Sequence, residues 1–301
     1  MYQLVAIGDI TVDLYYQSES LTREKDRFSL AIGGKYYSEY FHHGLGGSAA
    51  NIAIHASNLG LDTAVVAKVG ENAFKNMIVQ TLAKKTVSTE FLYFDRNHIS
   101  ISSILLSPSG ERTIIKHSDP KEHIYLGEHA TDRVMRSDMV FMGNLPDVPI
   151  VERKKLLSAV KSSENLIGIN FGTKDAENGL SKLKTLISKA DMLFLNRHEY
   201  AALIGTQSSK VNLKANQHKK LGLNIDVLVI TDGPDGSFAY TDKDVYSYDA
   251  PKVKNVIDAT GAGDSFTAAF MVKYGETKNI DQSIESATEY AAKVLTKVGA
   301  N

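Results

Sequence analysis

The chain has 301 residues, enough to bury one large α/β core or two modest ones. Its 34 Lys+Arg are balanced by 35 Asp+Glu, so no excess charge draws it to nucleic acid or to an anionic membrane. Cysteine is absent, which excludes disulfides, thiolate metal sites and cysteine nucleophiles and points to a reducing, cytoplasmic interior.

In chain order, the opening MYQLVAIGDI has neither the basic region nor the long apolar core of a leader, and no later apolar run is long enough to span a membrane. Leu4 to Ile7 is a short apolar run ending at Gly8-Asp9, which predicts a buried strand. From Leu14 to His43 the chain turns polar and aromatic, with Tyr15, Tyr16, Phe28, Tyr36, Tyr37, Tyr40 and Phe41 around a Gly33-Gly34 break. These predict edge strands of a small projecting sheet, whose aromatics suit a packing or dimer surface better than stacking on a substrate base. The charge-rich Leu21 to Arg27 reads as a solvated turn.

Helical spacing over Ala49 to Leu59 stops at Gly60, and Thr63 to Val69 resumes as a strand. A helix near Ala73 to Lys84 follows, then strands at Ser103 to Ser107 and Thr113 to Lys116 about a Ser109-Gly110 turn. Apolar strands are expected at Met139 to Met142, Leu166 to Asn170, Met192 to Leu195 and Val227 to Thr231. Helical patterns alternate with them at Ile150 to Ser162, Leu180 to Lys189, Glu199 to Ile204 and Leu213 to Leu221. The chain closes with a hairpin, Ser237 to Tyr240 and Val245 to Tyr248, and helices at Ala262 to Tyr274 and Ser283 to Thr296. This alternation predicts a mostly parallel sheet covered on both faces, with ligands at the carboxyl ends of its strands.

Two segments carry chemistry. In Asp258-Ala-Thr-Gly-Ala-Gly-Asp264 small residues lead into a helix whose first amides lack intrahelical partners, a natural anion hole. Asp264 in the first turn is an acceptor beside that hole, able to take a hydroxyl proton while the amides of Gly261, Ala262 and Gly263 hold phosphoryl oxygens. Taken alone, the run is equally a well-capped helix start. In Gly44 to Gly60 a diglycine, Gly46-Gly47, enters a helix bearing Asn51, a donor and acceptor suited to a polyhydroxylated ligand. That segment alone reads as an ordinary glycine loop and helix start.

Paired at opposite ends of the chain, these segments resemble the two signatures of the PfkB carbohydrate kinases, also called the ribokinase family, and the resemblance extends over essentially all 301 residues. It implies a three-layer ribokinase-like α/β fold: one kinase domain over 1–301 with a mostly parallel central sheet, and a small β lid over 14–43 to which Ile99 to Lys116 contributes. It implies ATP as cofactor and donor, and Mg2+. Asn196-Arg197-His198-Glu199 matches the family's NxxE motif, making Glu199 the carboxylate that organises magnesium through water and Asn196 a phosphate contact. An isolated NxxE is otherwise a helix cap. Thr231 and Gly233, before Gly236, match its nucleotide-binding strand end; without the resemblance they are a turn.

Gly8 to Asp13 resembles the family's substrate turn, with Thr11 and Asp13 gripping sugar hydroxyls beside Gly46, Gly47 and Asn51. Asp258 and Thr260 fall where relatives hold a monovalent cation such as K+. Departures bear on the acceptor: Gly143-Asn144-Leu145 lacks the glutamate of ribose-phosphorylating relatives, and Ile115 to Asp119 lacks a small Gly-Ala run. The sequence stops at Gly299-Ala300-Asn301, short of a segment usual in relatives, so a more open nucleotide pocket is expected there.

The expectation is an ATP-dependent kinase acting on a hydroxyl of a sugar or sugar derivative, with a nucleoside kinase as the rival and a ligand-binding relative without turnover a more distant one. Gly8-Asp9 is no GxGxxG turn, which disfavours a Rossmann dehydrogenase. His42-His43 is a solvated pair rather than a metal signature. The expected partners are a small sugar-like substrate and a second copy of the chain joined through the lid, with neither nucleic acid nor membrane.

Overall fold

The computed structural model describes residues 1–19, 21, 23–24, 27–107, 112–119, 123–254 and 256–301. Strand β1 (Leu4–Ile7) is completely buried because its side chains alternate between two cores: Val5 and Ile7 enter one, Leu4 and Ala6 the other. Strands β2 (Thr11–Gln17), β3 (Arg23–Glu24), β4 (Arg27–Phe28) and β5 (Tyr40–Gly46) follow. Helix α1 (Ser48–Asn58) then crosses back to β6 (Thr63–Gly70), and α2 (Lys75–Lys84) leads to β7 (Val87–Asp95). Next come β8 (Ser100–Leu106), β9 (Arg112–Ser118) and α3 (Glu128–Met135); the anticipated Ser109-Gly110 turn lies outside the described residues.

The alternation then runs β10 (Met139–Met142), α4 (Ile150–Val160), β11 (Leu166–Asn170), α5 (Thr173–Ala176), α6 (Leu180–Ile187), β12 (Met192–Asn196), α7 (Arg197–Leu203), α8 (Gln217–Leu221) and β13 (Val227–Thr231). A hairpin of β14 (Ser237–Tyr240) and β15 (Val245–Tyr248) precedes α9 (Ala262–Thr277) and α10 (Ile280–Val294).

The large sheet has the order β15-β14-β13-β12-β11-β10-β1-β6-β7, parallel from β13 to β7 and antiparallel at the β13, β14, β15 end. One face packs on α1, α2, α9 and α10 through residues such as Ile52, Leu82, Phe270 and Ile284. The other packs on α3, α4, α6, α7 and α8 through Val134, Leu157, Leu183, Tyr200 and Leu221. Helix α9 lies tight against Gly168 of β11, where an added Cβ would stand 2.7 Å from Met271 Sδ. That contact, with Phe194 edge-on to Phe270 at 5.5 Å, seats the helix whose first turn enters the candidate site.

The second sheet has the order β5-β2-β8-β9, with β2 and β8 parallel and both outer pairs antiparallel. Arg23–Glu24 and Arg27–Phe28 form a two-residue ladder in the stretch read as a turn, whose residues 22, 25 and 26 lie outside the described ones.

Besides this ladder and the unexpected short helix α5, three further elements differ from the sequence reading. Strand β7 lacks a continuous apolar run because, as the edge of the large sheet, it buries only Val87 and Phe91 fully. Helix α3 buries Val134 alone, so its apolar stripe is faint. The helix expected from Leu213 starts only at Gln217: Asn216 caps it by accepting from the Lys219 amide at 3.2 Å, and Leu213 is buried ahead of the helix.

Candidate active site

The parallel strands deliver Asp9, Asn144, Asn170, Asn196 and Thr231 to one end of the sheet, and the first turn of α9 enters among them. Gly261 caps α9 with φ of +76°, and an added Cβ there would stand 2.6 Å from the Ala300 carbonyl oxygen, so only glycine fits. Gly263 has nothing within 4 Å of such a Cβ and opens onto the cleft. Asp264 is the third residue of the helix, where the first amides point outward without intrahelical partners.

Two hollows meet at this turn. One, of about 200 Å³, is lined by Asn196, Thr231, Gly261, Ala262 and Gly263; the other, of about 620 Å³, by Asp9, Gly47, Ser48, Lys116, Asn144 and Lys174. Asp264, Glu199 and Asn170 line both. Burial pushes the Asp264 carboxyl above the usual range, and a 2.7 Å hydrogen bond donated by Asn51 Nδ2 opposes that rise.

On the larger side, only Gly47 of the expected acceptor residues lines the hollow; Thr11, Asp13, Gly46 and Asn51 do not. Burial raises Asp13 to about 6, against the opposing effects of a hydrogen bond with Ser102 and the charge of Lys116. The buried Thr11 donates to Asp9 Oδ2 at 3.2 Å and shares a 3.0 Å hydrogen bond with Ser100, while Lys116 pairs with Asp9 at 3.1 Å. The diglycine has a steric cause. A Cβ on Gly46 would collide with the Asp13 carboxylate, and one on Gly47, whose φ is +91°, with the Asp9 carbonyl. Ser48 Oγ, Asn144 Oδ1 and Asn170 Oδ1 are buried with no hydrogen-bond partner among the described residues. Native proteins seldom leave such atoms unpaired unless a ligand or water meets them.

Ser48 is not singled out by the sequence; Lys116 lies in the Ile115 to Asp119 stretch and Asn144 in Gly143-Asn144-Leu145, both departures bearing on the acceptor, and Asn144 and Asn170 also stand just past strand ends. Those positions were the available signal.

On the smaller side, Asn196 and Glu199 form a reciprocal capping box at α7. Asn196 Oδ1 accepts from the Glu199 amide and Glu199 Oε2 from the Asn196 amide, both at 2.9 Å. The helix cap and the acidic site are therefore the same two residues. Burial raises Glu199 to about 7, with Asp264 adding like-charge repulsion. Thr231 is the register partner of Asn196, Gly233 opens the next turn with φ of +57°, and Arg197 pairs with Asp232 at 2.6 Å to tie α7 to that turn.

Asp258 is fully buried. Its Oδ1 accepts from the Thr260 amide at 2.8 Å and the Thr260 hydroxyl at 2.6 Å, and its Oδ2 from the Gly299 amide at 3.1 Å. His42 and His43 stack at 6.3 Å in β5, and no cluster of three or more metal-ligating side chains exists among the described residues. No helix among those residues is long and apolar enough to cross a membrane.

The family model described as pfkB family carbohydrate kinase matches residues 1–301. Probable fructokinase-5 of Arabidopsis thaliana is 27% identical over 247 residues, 78% of this chain and 75% of that protein. The ATP-dependent 6-phosphofructokinase of Thermoanaerobacterium thermosaccharolyticum is 24% identical over 99% of this chain and 89% of its own length. Among solved structures, Arabidopsis thaliana ribokinase complexed with ribose and ATP shares the fold with a TM-score of 0.82 at 22% identity, covering 99% of this chain and 94% of that one.

Proposed function

Since the chain belongs to the pfkB family of carbohydrate kinases, phosphotransferases with an alcohol acceptor, we propose that it moves the γ-phosphoryl group of ATP to a hydroxyl of a neutral sugar, with Asp264 as general base. The observation that carries this reading is the position of Asp264 on the wall shared by two hollows, beside the helix-start amides. ATP occupies the smaller hollow, its phosphates reaching from Asn196, Thr231 and Gly233 to the amides of Gly261, Ala262 and Gly263. The sugar occupies the larger, held by Thr11, Asp13, Gly46, Gly47 and Asn51. Asp264 takes the acceptor proton as the hydroxyl attacks in line, and the first-turn amides stabilise charge on the transferring group.

The preference for a neutral acceptor follows from the lining of the larger hollow. Asp9, Asp147, Glu199 and Asp264 outnumber Lys116 and Lys174, and both lysines are already paired, with Asp9 and Asp147 at 3.1 Å each. The unpaired Asn144 and Asn170 oxygens are acceptors, which suits hydroxyl donors and repels a carboxylate or phosphate.

Two raised carboxyls facing one hollow, Glu199 and Asp264, fit a hard divalent cation, so Glu199 would hold Mg2+ through water. When bound, Mg2+ offsets phosphate charge. The fully buried Asp258, with no ion pair among the described residues, fits a monovalent cation such as K+ beside Thr260. The second sheet serves as a lid that excludes water, and its exposed Phe41, Ile114 and Ile115 suit a homodimer contact. A monomeric mass in solution overturns the dimer. Action in the cytoplasm completes the proposal, supported by the absence of cysteine from the sequence.

The deciding experiment is ADP release with Mg-ATP and a panel of neutral sugars, sugar acids, sugar phosphates and nucleosides. A neutral sugar with the highest kcat/KM is the expected result. A nucleoside in that position establishes the rival kinase, and no consumption by any class removes the catalytic reading.

A further inference from the structure

The segment following α10 returns to the base of the site and is held there at three successive residues. The Gly299 amide donates to Asp258 Oδ2 at 3.1 Å, and the Ala300 carbonyl lies 2.8 Å from His55 Nε2. Asn301 Nδ2 donates to the Leu45 carbonyl and to Asn51 Oδ1, both at 2.8 Å. His55 is buried in α1 and burial lowers it to about 4, so it is neutral. A carbonyl only accepts, so Nε2 carries the proton to Ala300, and Nδ1 accepts from the Tyr290 hydroxyl at 3.1 Å. Asn301 therefore stands on a rigid support.

The same logic fixes every amide in the chain that leads to the base. The Leu45 carbonyl accepts only, which makes the group facing it the NH2 of Asn301. That NH2 also reaches Asn51, so it meets the oxygen of the Asn51 amide. The Asn51 NH2 is thereby turned to Asp264 Oδ2 at 2.7 Å. An ionised Asp264 accepts only and favours the same orientation from its own side; the Asn301 NH2 holds that orientation from the other side, and holds it also when the buried carboxyl carries a proton and could donate to an Asn51 oxygen instead.

We propose that Asn301 is a positioning residue for the phosphoryl transfer: its side-chain NH2 locks the Asn51 amide in the orientation that aims an N–H at the base Asp264. The inference rests on the reading of Asp264 as general base, but the geometry it asserts is testable without any substrate. Asn301→Asp is nearly isosteric and can only accept, so it draws the Asn51 NH2 towards itself and away from Asp264. Asn301→Ala merely removes the lock.

The test uses the full chain labelled with 15N-asparagine, the Asn51 side-chain amide being assigned by its loss in Asn51→Ala. In the otherwise unaltered chain, Asp264→Asn shifts the Asn51 amide signals; in the Asn301→Asp background the expected result is that the same change no longer moves them. An equal response in both backgrounds overturns the proposal. Should Asn301→Asp fail to fold, Asn301→Ala takes its place, with a reduced response expected and an undiminished one overturning the proposal. In turnover with the panel sugar of highest activity, Asn301→Ala lowers kcat by about 10-fold and Asn301→Asp by more, with the KM for ATP within about 2-fold. The loss from Asn301→Ala largely vanishes in an Asn51→Ala background; additive losses overturn the proposal. A chain that consumes no ATP with any acceptor defeats the kinase reading while the labelled-amide result stands by itself.

Discussion

Asn51 donates a 2.7 Å hydrogen bond to Asp264 across 213 residues of sequence, joining the start of α1 to the start of α9. The two glycine-rich segments of the chain thus meet at one carboxylate. It is the same carboxylate that lines both hollows, so the contact ties α1 to the wall they share.

Asp264→Asn keeps the shape of the first turn of α9 and the hydrogen-bonding reach of the side chain while removing the proposed base. Turnover should fall by about 10²-fold or more, with the Kd for ATP within about 2-fold, measured by ADP release and by calorimetric titration with ATP. Unchanged turnover would remove Asp264 from the mechanism.

Glu199→Gln separates the helix cap from the proposed Mg2+ role of the same side chain. Glutamine still caps α7, so the thermal midpoint should move by no more than about 2 °C. The lost charge should raise the Mg2+ concentration for half-maximal activity by about 5-fold or more. A large drop in midpoint with unaltered Mg2+ dependence assigns Glu199 to the helix cap alone.

The diglycine should split into a stability position and a binding position. Gly47→Ala drives a Cβ into the Asp9 carbonyl at a φ of +91°, and should lower unfolding stability by about 2 to 4 kcal/mol in urea. At Gly46 the clash is with the Asp13 side chain, which can swing aside. Gly46→Ala should therefore raise the KM of the acceptor more than it lowers stability.

His55 predicts a pH dependence of stability with a definite sign. Its folded value is lowered from 6.5 to about 4, so the unfolded chain binds the proton first as pH falls. The stabilisation present above pH 6.5 is lost on descending towards pH 4, on the order of 3 kcal/mol for one such group. Urea unfolding of His55→Gln across this range should be less steep in pH than that of the parent chain; identical slopes would mean that His55 titrates normally.

Strands β1, β10, β11 and β13 were legible to the residue, since a central parallel strand must be apolar on both faces. Strand β7 was not, because an edge position relaxes that demand. At the site, Asp264 and the glycines stand out as residue types, but the causes do not. That Gly46 makes room for the Asp13 carboxylate, or Gly261 for Ala300, depends on segments far apart in the chain. Asn301 carried no signal at all, since its partners Leu45 and Asn51 reach it only after α10 has docked beside α9.

The central position of β1, between β6 and β10, also bears on how the molecule is made. Strand β1 is synthesised before both of its neighbours: it acquires one flank from Thr63–Gly70 and waits for Met139–Met142 to complete the other. Such distant pairing slows folding, and the 213-residue closure from Asn51 to Asp264 comes only after α9 has been synthesised. A nascent or half-refolded chain thus lacks the Asn51–Asp264 contact and, on the proposed function, has no assembled site with which to consume ATP until the fold is finished.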